Sequence, residues 1–257
     1  MNILPVIQSV DRALQILDLF DEYERELKIT EISERLNLHK STVHSLLKTL
    51  RLHRYIEQNP ENGKYRLGLK LFERGNYVVH AIDLGTLTKP YLYSLAKQTM
   101  QTVHLVTLDE KEGVYIDKVE GGLTSSSVYS RIGRRVPIHC SAVGKALVAH
   151  KSPSELNLIL TNYKFSRQTD FTITNKEVFL KELVDVRKQG YSVDDQKNEL
   201  GVYCIAVPIH NYTNEVVAAI SISSPIMRFT VKEREKQIEL LKENAKSLST
   251  ELGYGYR

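Results

Sequence analysis

The sequence has 257 residues, 42% of them hydrophobic and 26% charged, which allows two domains and argues against a fibre or a disordered chain. Its net charge of +4 permits a nucleic-acid partner without arguing for one. Cys140 and Cys204 form neither a disulfide framework nor a CxxC metal motif. No stretch has the pattern of a signal peptide or the roughly 18 apolar residues of a membrane span, so we expect a reduced, cytoplasmic setting.

The N-terminal segment predicts a supporting helix. Ser9 is placed as its cap, and an acidic stretch, DEYERE, follows it. One face of this helix carries the apolar residues Val10, Ala13, Leu14, Leu17 and Phe20.

Two further helical patterns joined by a tight turn follow from Ile29. The first has Thr30 as a candidate cap and ends at Asn37, a residue that can adopt the left-handed conformation of a turn. The second repeats apolar residues at i, i+3, i+4 and i+7, which makes one buried stripe of Val43, Leu46, Leu47 and Leu50. The pair predicts a helix-turn-helix.

A hairpin is predicted directly after this pair of helices. The β-prone runs Tyr55–Glu57 and Lys64–Leu67 are separated by a connection that ends in Asn62-Gly63, a strong hairpin signal. Residues 1–38 carry four Lys/Arg and eight Asp/Glu (4 − 8 = −4), whereas residues 39–68 carry six and two (6 − 2 = +4). The basic charge thus coincides with the second helix and the hairpin, as in a winged helix-turn-helix that binds DNA.

The outward positions of the second helix and the hairpin are the candidate DNA contacts. Ser41 is placed as the helix cap. Phosphate contacts are assigned to Lys40, Lys48, Arg51, Lys64 and Arg66, and base-edge contacts to Thr42, His44, Ser45 and Thr49. The alternative is a packed α+β module or a protein-interaction domain. Agreement between turn, wing and local charge favours DNA binding.

The chain then passes through a short helical connector into a second domain. The connector contains Gly75, where a bend is possible, and the domain boundary is placed near Ala81–Leu84. We therefore divide the sequence into a DNA-binding domain at 1–68, a linker helix at 69–83 and an effector-binding domain at 84–257.

Helices and strands are mixed in the second domain. A helix containing Tyr91 precedes the strands TVHLVTL and GVYIDKVE and a third run, SSSVYSRI. The helices SAVGKALVAH, PSELNLILTNY and NKEVFLKELVDVRKQG follow, the last stopped by Gly190. Next come the strands YSVDD, GVYCIAVPI and VVAAISIS and a final helix from about Val231 to Leu252. This order predicts one mixed sheet covered by helices, with a small-molecule pocket at one end.

Several motifs, in order over nearly the whole chain, resemble the IclR family of bacterial transcriptional regulators: KSTVHSLLKTL, ENGKYRLG, VPIHCSAVGKALVAH, YSVDD, GVYCIAVPI and AISISSP. The resemblance implies an α+β protein with an N-terminal winged helix-turn-helix, a linker helix used in dimerisation and a C-terminal GAF-like α/β effector-binding domain. Members commonly repress transcription, though some activate it, and they form dimers or tetramers. The implied partners are a palindromic double-stranded DNA operator and a small-molecule effector, with no cofactor.

The resemblance also implies positions for the effector site. They are Ala142 and Val143 before the GKAL helix, Asp194, Cys204, Ser221 and Ser223, with Val128, Val136 and Val202 as apolar walls. Backbone N–H groups at a helix start would suit a small carboxylate or a sugar acid. Ala142 stands where many relatives have Gly, and Gln196 stands where an acidic residue is common, so the ligand is expected to differ from the keto acids of some relatives.

The predicted effector residues also have simpler interpretations, and an enzyme is the alternative to a sensor. Cys204 could be a small core residue, Ser221 and Ser223 could satisfy backbone groups, and Asp194 beside Asp195 could lie in a solvated turn. As an enzyme, the chain could use Cys204 with His139 and Asp194, but no nucleophile motif surrounds Cys204. A metal site could draw on Cys140, His139, His150, Asp194 and Cys204, yet no pair has a diagnostic spacing. Ligand sensing without catalysis is therefore the stronger hypothesis.

Overall fold

The chain is divided into two compact units. A computed structural model describes residues 6–21, 23–81, 84–122 and 130–255. The first unit is Met1–Ile82 and the second is Asp83–Arg257.

The first unit is a winged helix-turn-helix built around one apolar core. Its elements in chain order are α1 (Gln8–Leu17), α2 (Ile29–Leu36), α3 (Lys40–Leu52), β1 (Ile56–Gln58), β2 (Tyr65–Leu67) and α4 (Leu69–Ala81). The strands pair antiparallel, with Glu57 opposite Arg66. The core is formed by Ile16, Phe20, Leu27, Ile32, Val43, Leu47, Leu50, Ile56 and Tyr65. The helix-turn-helix and the hairpin are thus confirmed, and Asn37 takes the predicted left-handed conformation with φ 49° and ψ 48°.

The predicted helix starts are wrong at three places. Ile7 is the N-cap of α1, so Ser9 lies inside the helix. Lys28 is the N-cap of α2, where its backbone N–H donates to Glu31 Oε2 at 2.6 Å; Thr30 is in the first turn. His39 precedes α3, which leaves Ser41 in the first turn rather than at the cap. At α2 the Glu31 side chain reaches back and accepts from the backbone N–H of the N-cap residue, which is the part of a capping box that the N3 side chain supplies.

The buried face of α1 is also rotated from the one predicted. Val10 and Leu14 are exposed, whereas Ile16 is completely buried. Ala13, Ile16, Leu17 and Phe20 contribute to the core, and they too are spaced i, i+3, i+4 and i+7. The sequence offered two overlapping apolar stripes, and packing against α2 and α3 selected this one.

The second unit is a six-stranded sheet with helices on both faces. Its elements are α5 (Leu84–Thr99), β3 (Thr102–Asp109), β4 (Glu112–Val119), β5 (Arg135–Pro137), α6 (Ala142–Ala149), α7 (Pro153–Leu160), α8 (Lys176–Gln189), β6 (Ser192–Asp195), β7 (Val202–His210), β8 (Val216–Pro225) and α9 (Val231–Glu251). Helix α6 lies against β7 and β8 on one face and contacts α8, whereas α5 and α9 contact each other and the sheet. Gly190 ends α8 with φ 75°, as predicted.

The sheet order is β5-β4-β3-β8-β7-β6, and every ladder among the described strands is antiparallel. The prediction of one sheet is confirmed, but its description as mixed is wrong. The first and last strands of the unit, β3 and β8, pair with each other in the centre of the sheet. Of the predicted strand SSSVYSRI, residues 125–129 lie outside the described residues and 130–132 form no strand. The short edge strand β5 was not predicted.

Candidate DNA-binding surface and effector cavity

The second helix of the helix-turn-helix, α3, turns one face to the core and the other to solvent. Val43, Leu47 and Leu50 are buried and Leu46 is half-buried, as the apolar stripe predicts. The candidate contacts Lys40, Ser41, His44, Ser45, Lys48, Thr49 and Arg51 are all exposed, and Thr42 is half-buried. This places short polar and basic side chains on the face that a major groove could accept.

Two hydroxyls on this face donate back to the helix. Ser45 Oγ donates to Ser41 O at 3.0 Å, and Thr49 Oγ1 donates to Ser45 O at 3.1 Å. A hydroxyl oxygen keeps acceptor capacity when its proton is used in this way. The oxygens of Ser45 and Thr49 therefore retain lone pairs that can accept a further hydrogen bond.

The basic side chains near the wing have partners within the unit. Arg66 is exposed and forms ion pairs with Glu57 at 3.1 Å and Glu26 at 3.9 Å. Arg51 Nη1 donates to Gln58 Oε1 at 2.8 Å. Lys64 is half-buried beside the buried Tyr65. A phosphate would have to compete with these partners at Arg51 and Arg66.

In the second unit, three of the predicted effector residues form a row across neighbouring strands. Asp194 on β6 pairs with Cys204 on β7, which pairs with Ser223 on β8. Cys204 Sγ lies 3.0 Å from Ser223 Oγ. Ser221 is two residues from Ser223 on the same strand, so it faces the same side of the sheet, as predicted. Val202 is half-buried two residues before Cys204 on that side.

A buried histidine that the sequence analysis missed extends this row. His104 on β3 is 2% exposed; its Nδ1 lies 3.4 Å from Ser223 Oγ and its Nε2 lies 2.8 Å from Ser130 Oγ. Burial, with the charge of Lys118 nearby, lowers the pKa of His104 to about 3, so the ring is neutral near pH 7. The signal was present in TVHLVTL, where alternation places His104 on the same face as Val106.

A cavity of about 620 Å³ lies beside this row. It is lined by Tyr115, Ser130, Arg134, Val136, Thr169 and Asn198, among others. Of the predicted wall residues Val136 belongs to the lining, and Val128 lies outside the described residues. The lining over the described residues does not include the other seven predicted residues. The polar and charged lining was not predicted, because its residues come from loops and from the edges of strands.

The start of α6, next to the cavity wall, is tightly packed. Ala142 and Val143 are 1% and 3% exposed. Ser141 caps the helix by accepting from the Gly144 N–H at 3.1 Å and donates to Pro137 O at 2.6 Å. A Cβ on Gly144 would lie 2.4 Å from Ile138 Cα, so only glycine permits this approach.

Asp194 fastens the loop that follows β6. Its Oδ1 accepts the backbone N–H groups of Lys197 at 2.7 Å and Asn198 at 3.2 Å. The side chain is buried, and burial raises its pKa to about 6 despite these bonds and the nearby Lys145. The interpretation of Asp194 as part of a solvated turn is therefore wrong, although the adjacent Asp195 is exposed. Because Asn198 lines the cavity, Asp194 shapes one of its walls.

A buried charge cluster connects α6, α8 and the same loop. Lys145 is completely buried; its ammonium contacts the Glu182 carboxylate and the Val193 carbonyl. Lys197 donates to both Glu182 oxygens at 2.8 Å. With Asp194 nearby, two positive and two negative side chains are collected here. The lysine of the GKAL motif is thus a structural anchor rather than a phosphate ligand.

The groups proposed for an enzyme are not arranged as a nucleophile and base. Burial raises the pKa of Cys204 well above its usual range, which disfavours the thiolate that attacks as a nucleophile. His139 Nδ1 lies 2.8 Å from the Tyr163 hydroxyl, and its Nε2 lies 3.1 Å from Ser166 O. Both ring nitrogens therefore already have hydrogen-bond partners.

The candidate metal ligands do not converge. Cys140 Sγ donates to Asn198 Oδ1 at 3.4 Å, whereas His150 packs edge-on against His210 with ring centroids 5.2 Å apart. Among the residues that the structure describes, no group of three or more His, Cys, Asp and Glu side chains could hold a metal ion. Within the same residues, none of the helices has the length and apolar character needed to traverse a lipid bilayer.

A winged helix-turn-helix with an outward polar and basic helix, joined in one chain to a cavity-bearing α/β unit, defines a DNA-binding regulator with a sensor unit. Family models agree on both parts: the IclR helix-turn-helix domain matches residues 9–60, and the bacterial transcriptional regulator IclR C-terminal model matches residues 76–250. The chain belongs to the IclR family of bacterial transcriptional regulators.

Three relatives illustrate the match. The HTH-type transcriptional regulator XynR of Escherichia coli K12 is 51% identical over 251 residues, covering 98% of this chain and 99% of that protein. The crystal structure of Thermotoga maritima IclR is 34% identical with a TM-score of 0.79, covering 97% and 100% of the two chains. An IclR homologue from Microbacterium hydrocarbonoxydans, complexed with 4-hydroxybenzoate, is 25% identical with a TM-score of 0.84, covering 95% and 98%.

Proposed function

We propose that this regulator is a repressor that binds a palindromic operator as a symmetric homodimer or homotetramer and is controlled by a small carboxylate or sugar acid. The observation that carries the proposal is the presence in one chain of an exposed polar recognition helix and a polar cavity of about 620 Å³. A dimer reads two half-sites only when their spacing is right. An effector that changes this spacing would change the affinity for the operator.

The DNA contacts are proposed to divide by chemistry. Lys40, Lys48, Arg51, Lys64 and Arg66 would contact phosphates, and Thr42, His44, Ser45 and Thr49 would contact base edges. Ser41, in the first turn of α3, would offer its hydroxyl to a phosphate near the helix start. The exposed positions of Lys40 and Lys48 support the first group, and the outward hydroxyls of Ser45 and Thr49 support the second.

The effector is proposed to occupy the cavity and reach the polar row beneath it. Val136 and Ser130 line the cavity, and Ser130 is joined through His104 to Ser223 and Cys204. An arginine in the lining, Arg134, suits an anionic group, and the neighbouring hydroxyls suit a polar substituent. The relative complexed with 4-hydroxybenzoate supports a small carboxylate as the class of ligand.

The linker helix is proposed to span residues 69–83 and to pair with a second copy. Leu69, Phe72 and Tyr77 on α4 are 69%, 70% and 63% exposed in the single chain. Large apolar side chains exposed together are typical of an interface that an oligomer covers. An oligomer measured by light scattering, and lost when Phe72 is replaced by Asp, would support this assignment.

The direct experiment is to titrate the purified protein against DNA flanking its own gene at several salt concentrations, with a panel of small carboxylates and sugar acids. Salt-sensitive, site-preferring binding that one compound weakens supports a ligand-controlled repressor. Tighter binding with the compound would instead indicate an effector-dependent activator or co-repression. Turnover of a compound by the protein would favour the enzymatic alternative.

A further inference from the structure

A carboxylate from outside the hairpin holds the tip of the wing. The wing tip is residues 59–64, between β1 and β2. Glu26 Oε1 accepts from Asn59 Nδ2 at 2.9 Å, and Glu26 Oε2 accepts from Asn62 Nδ2 at 2.8 Å. One side chain thus contacts both ends of a short loop from 33 and 36 residues away in sequence.

The backbone brings Glu26 to this position. Leu27 forms an isolated antiparallel bridge with Tyr65, in which Leu27 N donates to Tyr65 O at 2.9 Å and Tyr65 N donates to Leu27 O at 2.8 Å. Leu27 and Tyr65 are both buried in the core of the unit. The segment before α2 therefore lies alongside the wing as a third strand-like piece, with Glu26 next to the tip.

The two asparagines are oriented by their own loop. Asn59 Oδ1 accepts from the Glu61 N–H and Asn62 Oδ1 accepts from the Lys64 N–H, both at 2.9 Å. Each amide oxygen is used to form the turn, which leaves each NH₂ group to donate to Glu26. An anionic acceptor makes such hydrogen bonds stronger than a neutral one does.

A second bridge joins the wing tip to the recognition helix. Gln58 Oε1 accepts from Arg51 Nη1 at 2.8 Å, and Gln58 Nε2 donates to Gly63 O at 2.9 Å. Gly63 has φ 69°, which is the left-handed conformation that the turn requires. The end of α3 and the tip of the wing are therefore connected through one amide side chain.

We infer that Glu26 and Gln58 are positioning residues for DNA binding, which hold the wing tip and its Lys64 in place against the recognition helix before DNA arrives. The inference rests on the proposed DNA contacts of α3 and the wing. Holding the loop in advance removes the conformational entropy that binding would otherwise have to overcome. An ordinary carboxylate on a basic DNA-binding surface weakens the affinity for DNA. Glu26 should instead strengthen the affinity, because it holds the wing tip in place.

The direction in which Glu26→Gln changes the affinity for DNA tests this inference. Glu26→Gln removes a negative charge, which by electrostatics alone would tighten DNA binding, but its single carbonyl oxygen cannot serve both asparagines as the carboxylate does. Glu61→Gln is the matched control, because Glu61 is exposed on the same loop and contributes its backbone N–H to the turn. Gln58→Met is the second variant; it keeps the length of the side chain and removes both bridge hydrogen bonds.

Each full-length variant is titrated against a random-sequence DNA duplex from about 50 to 200 mM KCl, where non-specific binding is governed by phosphate contacts. Glu26→Gln should weaken binding about three- to tenfold and lower the salt slope by about 1, since the Lys64 contact is lost. Gln58→Met should weaken binding less, because it also releases Arg51 from Gln58. Glu61→Gln should leave the slope unchanged and keep or tighten the affinity. Thermal melting checks that each variant is folded.

Amide hydrogen exchange at Lys64 is measured without DNA. The exchange should be faster in Glu26→Gln than in the unsubstituted protein, and it should not be faster in Glu61→Gln. Equal tightening by Glu26→Gln and Glu61→Gln, with unchanged slopes, would overturn the inference. Absence of salt-dependent binding by the unsubstituted protein would instead overturn the DNA-binding assignment itself. A Glu26→Gln variant that does not fold leaves the decision to Gln58→Met, in which unchanged amide hydrogen exchange at Lys64 would also be contrary evidence.

Discussion

Glu182→Gln should destabilise the C-terminal unit far more than a typical single substitution, because it leaves a buried positive charge without its carboxylate. The Lys145 side chain is 0% exposed, and its ammonium contacts the Glu182 carboxylate and the Val193 carbonyl, which carries no charge. Glutamine keeps the shape of Glu182 and removes only the charge. Removing one member of a buried ion pair costs about 3–5 kcal/mol.

The structure indicates how that cost is distributed. Lys197 also loses its partner, but its side chain is 23% exposed and can turn towards water, so most of the penalty falls on Lys145. For a unit of this size, about 1 kcal/mol shifts the melting temperature by roughly 2–4 °C, which gives a fall of about 6–20 °C. Lys145→Met should cost less than Glu182→Gln, because Glu182 retains Lys197 at 2.8 Å.

Calorimetry of the full chain, repeated at several pH values, measures this effect. Burial already lowers the pKa of Lys145, and loss of Glu182 lowers it further, so the folded variant binds fewer protons than the unfolded one at alkaline pH. Stability therefore rises with pH, and the deficit of Glu182→Gln should shrink above neutrality. A variant that combines Lys145→Met with Glu182→Gln should be more stable than Glu182→Gln alone. A deficit below about 1 kcal/mol that does not change with pH would contradict a buried, uncompensated charge on Lys145.

Further substitutions test the DNA-binding surface, the polar row and the loop anchor. Lys48→Ala should weaken binding to all DNA sequences and lower the salt slope by about 1. His44→Ala should cost about 1–3 kcal/mol of binding free energy, mainly on the preferred operator. An equal loss of affinity on all sequences in both variants would contradict the division into phosphate and base contacts. Ser221→Ala with Ser223→Ala should keep operator binding and blunt the effector response, and a folded double variant with the reverse behaviour would be inconsistent with the proposed site. Because the pKa of Asp194 is raised from 3.8 to about 6, the folded state holds this proton more tightly, so stability should fall as pH rises between those values. Asp194→Asn should flatten that part of the denaturation profile, and an unaltered profile would exclude Asp194 as its cause.

The first unit could be predicted well from local signals. Three of its features each depend on a few consecutive residues and can be recognised in the sequence. They are the apolar stripe of α3, the left-handed Asn37 and the Asn62-Gly63 turn. Helix caps were predicted less well. The N-caps of α1, α2 and α3 are Ile7, Lys28 and His39, which make no side-chain cap hydrogen bond within the described residues, so the preference for a hydroxyl at the cap pointed to later residues.

The cavity and its wall were much harder to predict. Family motifs located Asp194, Cys204, Ser221 and Ser223, and the strand register brings three of them into one row. His104 and Ser130 complete the row from strands and loops that are distant in sequence. No local pattern specifies which loop lines a cavity, because that depends on the order of strands in the sheet.

The winged helix-turn-helix, the family and the alternation of buried residues along each strand can be deduced from the amino-acid sequence. These features depend on local backbone preferences and on the spacing of apolar side chains. The burial of Lys145 against Glu182, the anchoring of a cavity loop by Asp194 and the contact of Glu26 with the wing tip become apparent in the folded chain. Each of these contacts joins residues whose proximity is created by chain topology, and the energy of a charged group is set by its surroundings in space rather than by its neighbours in sequence.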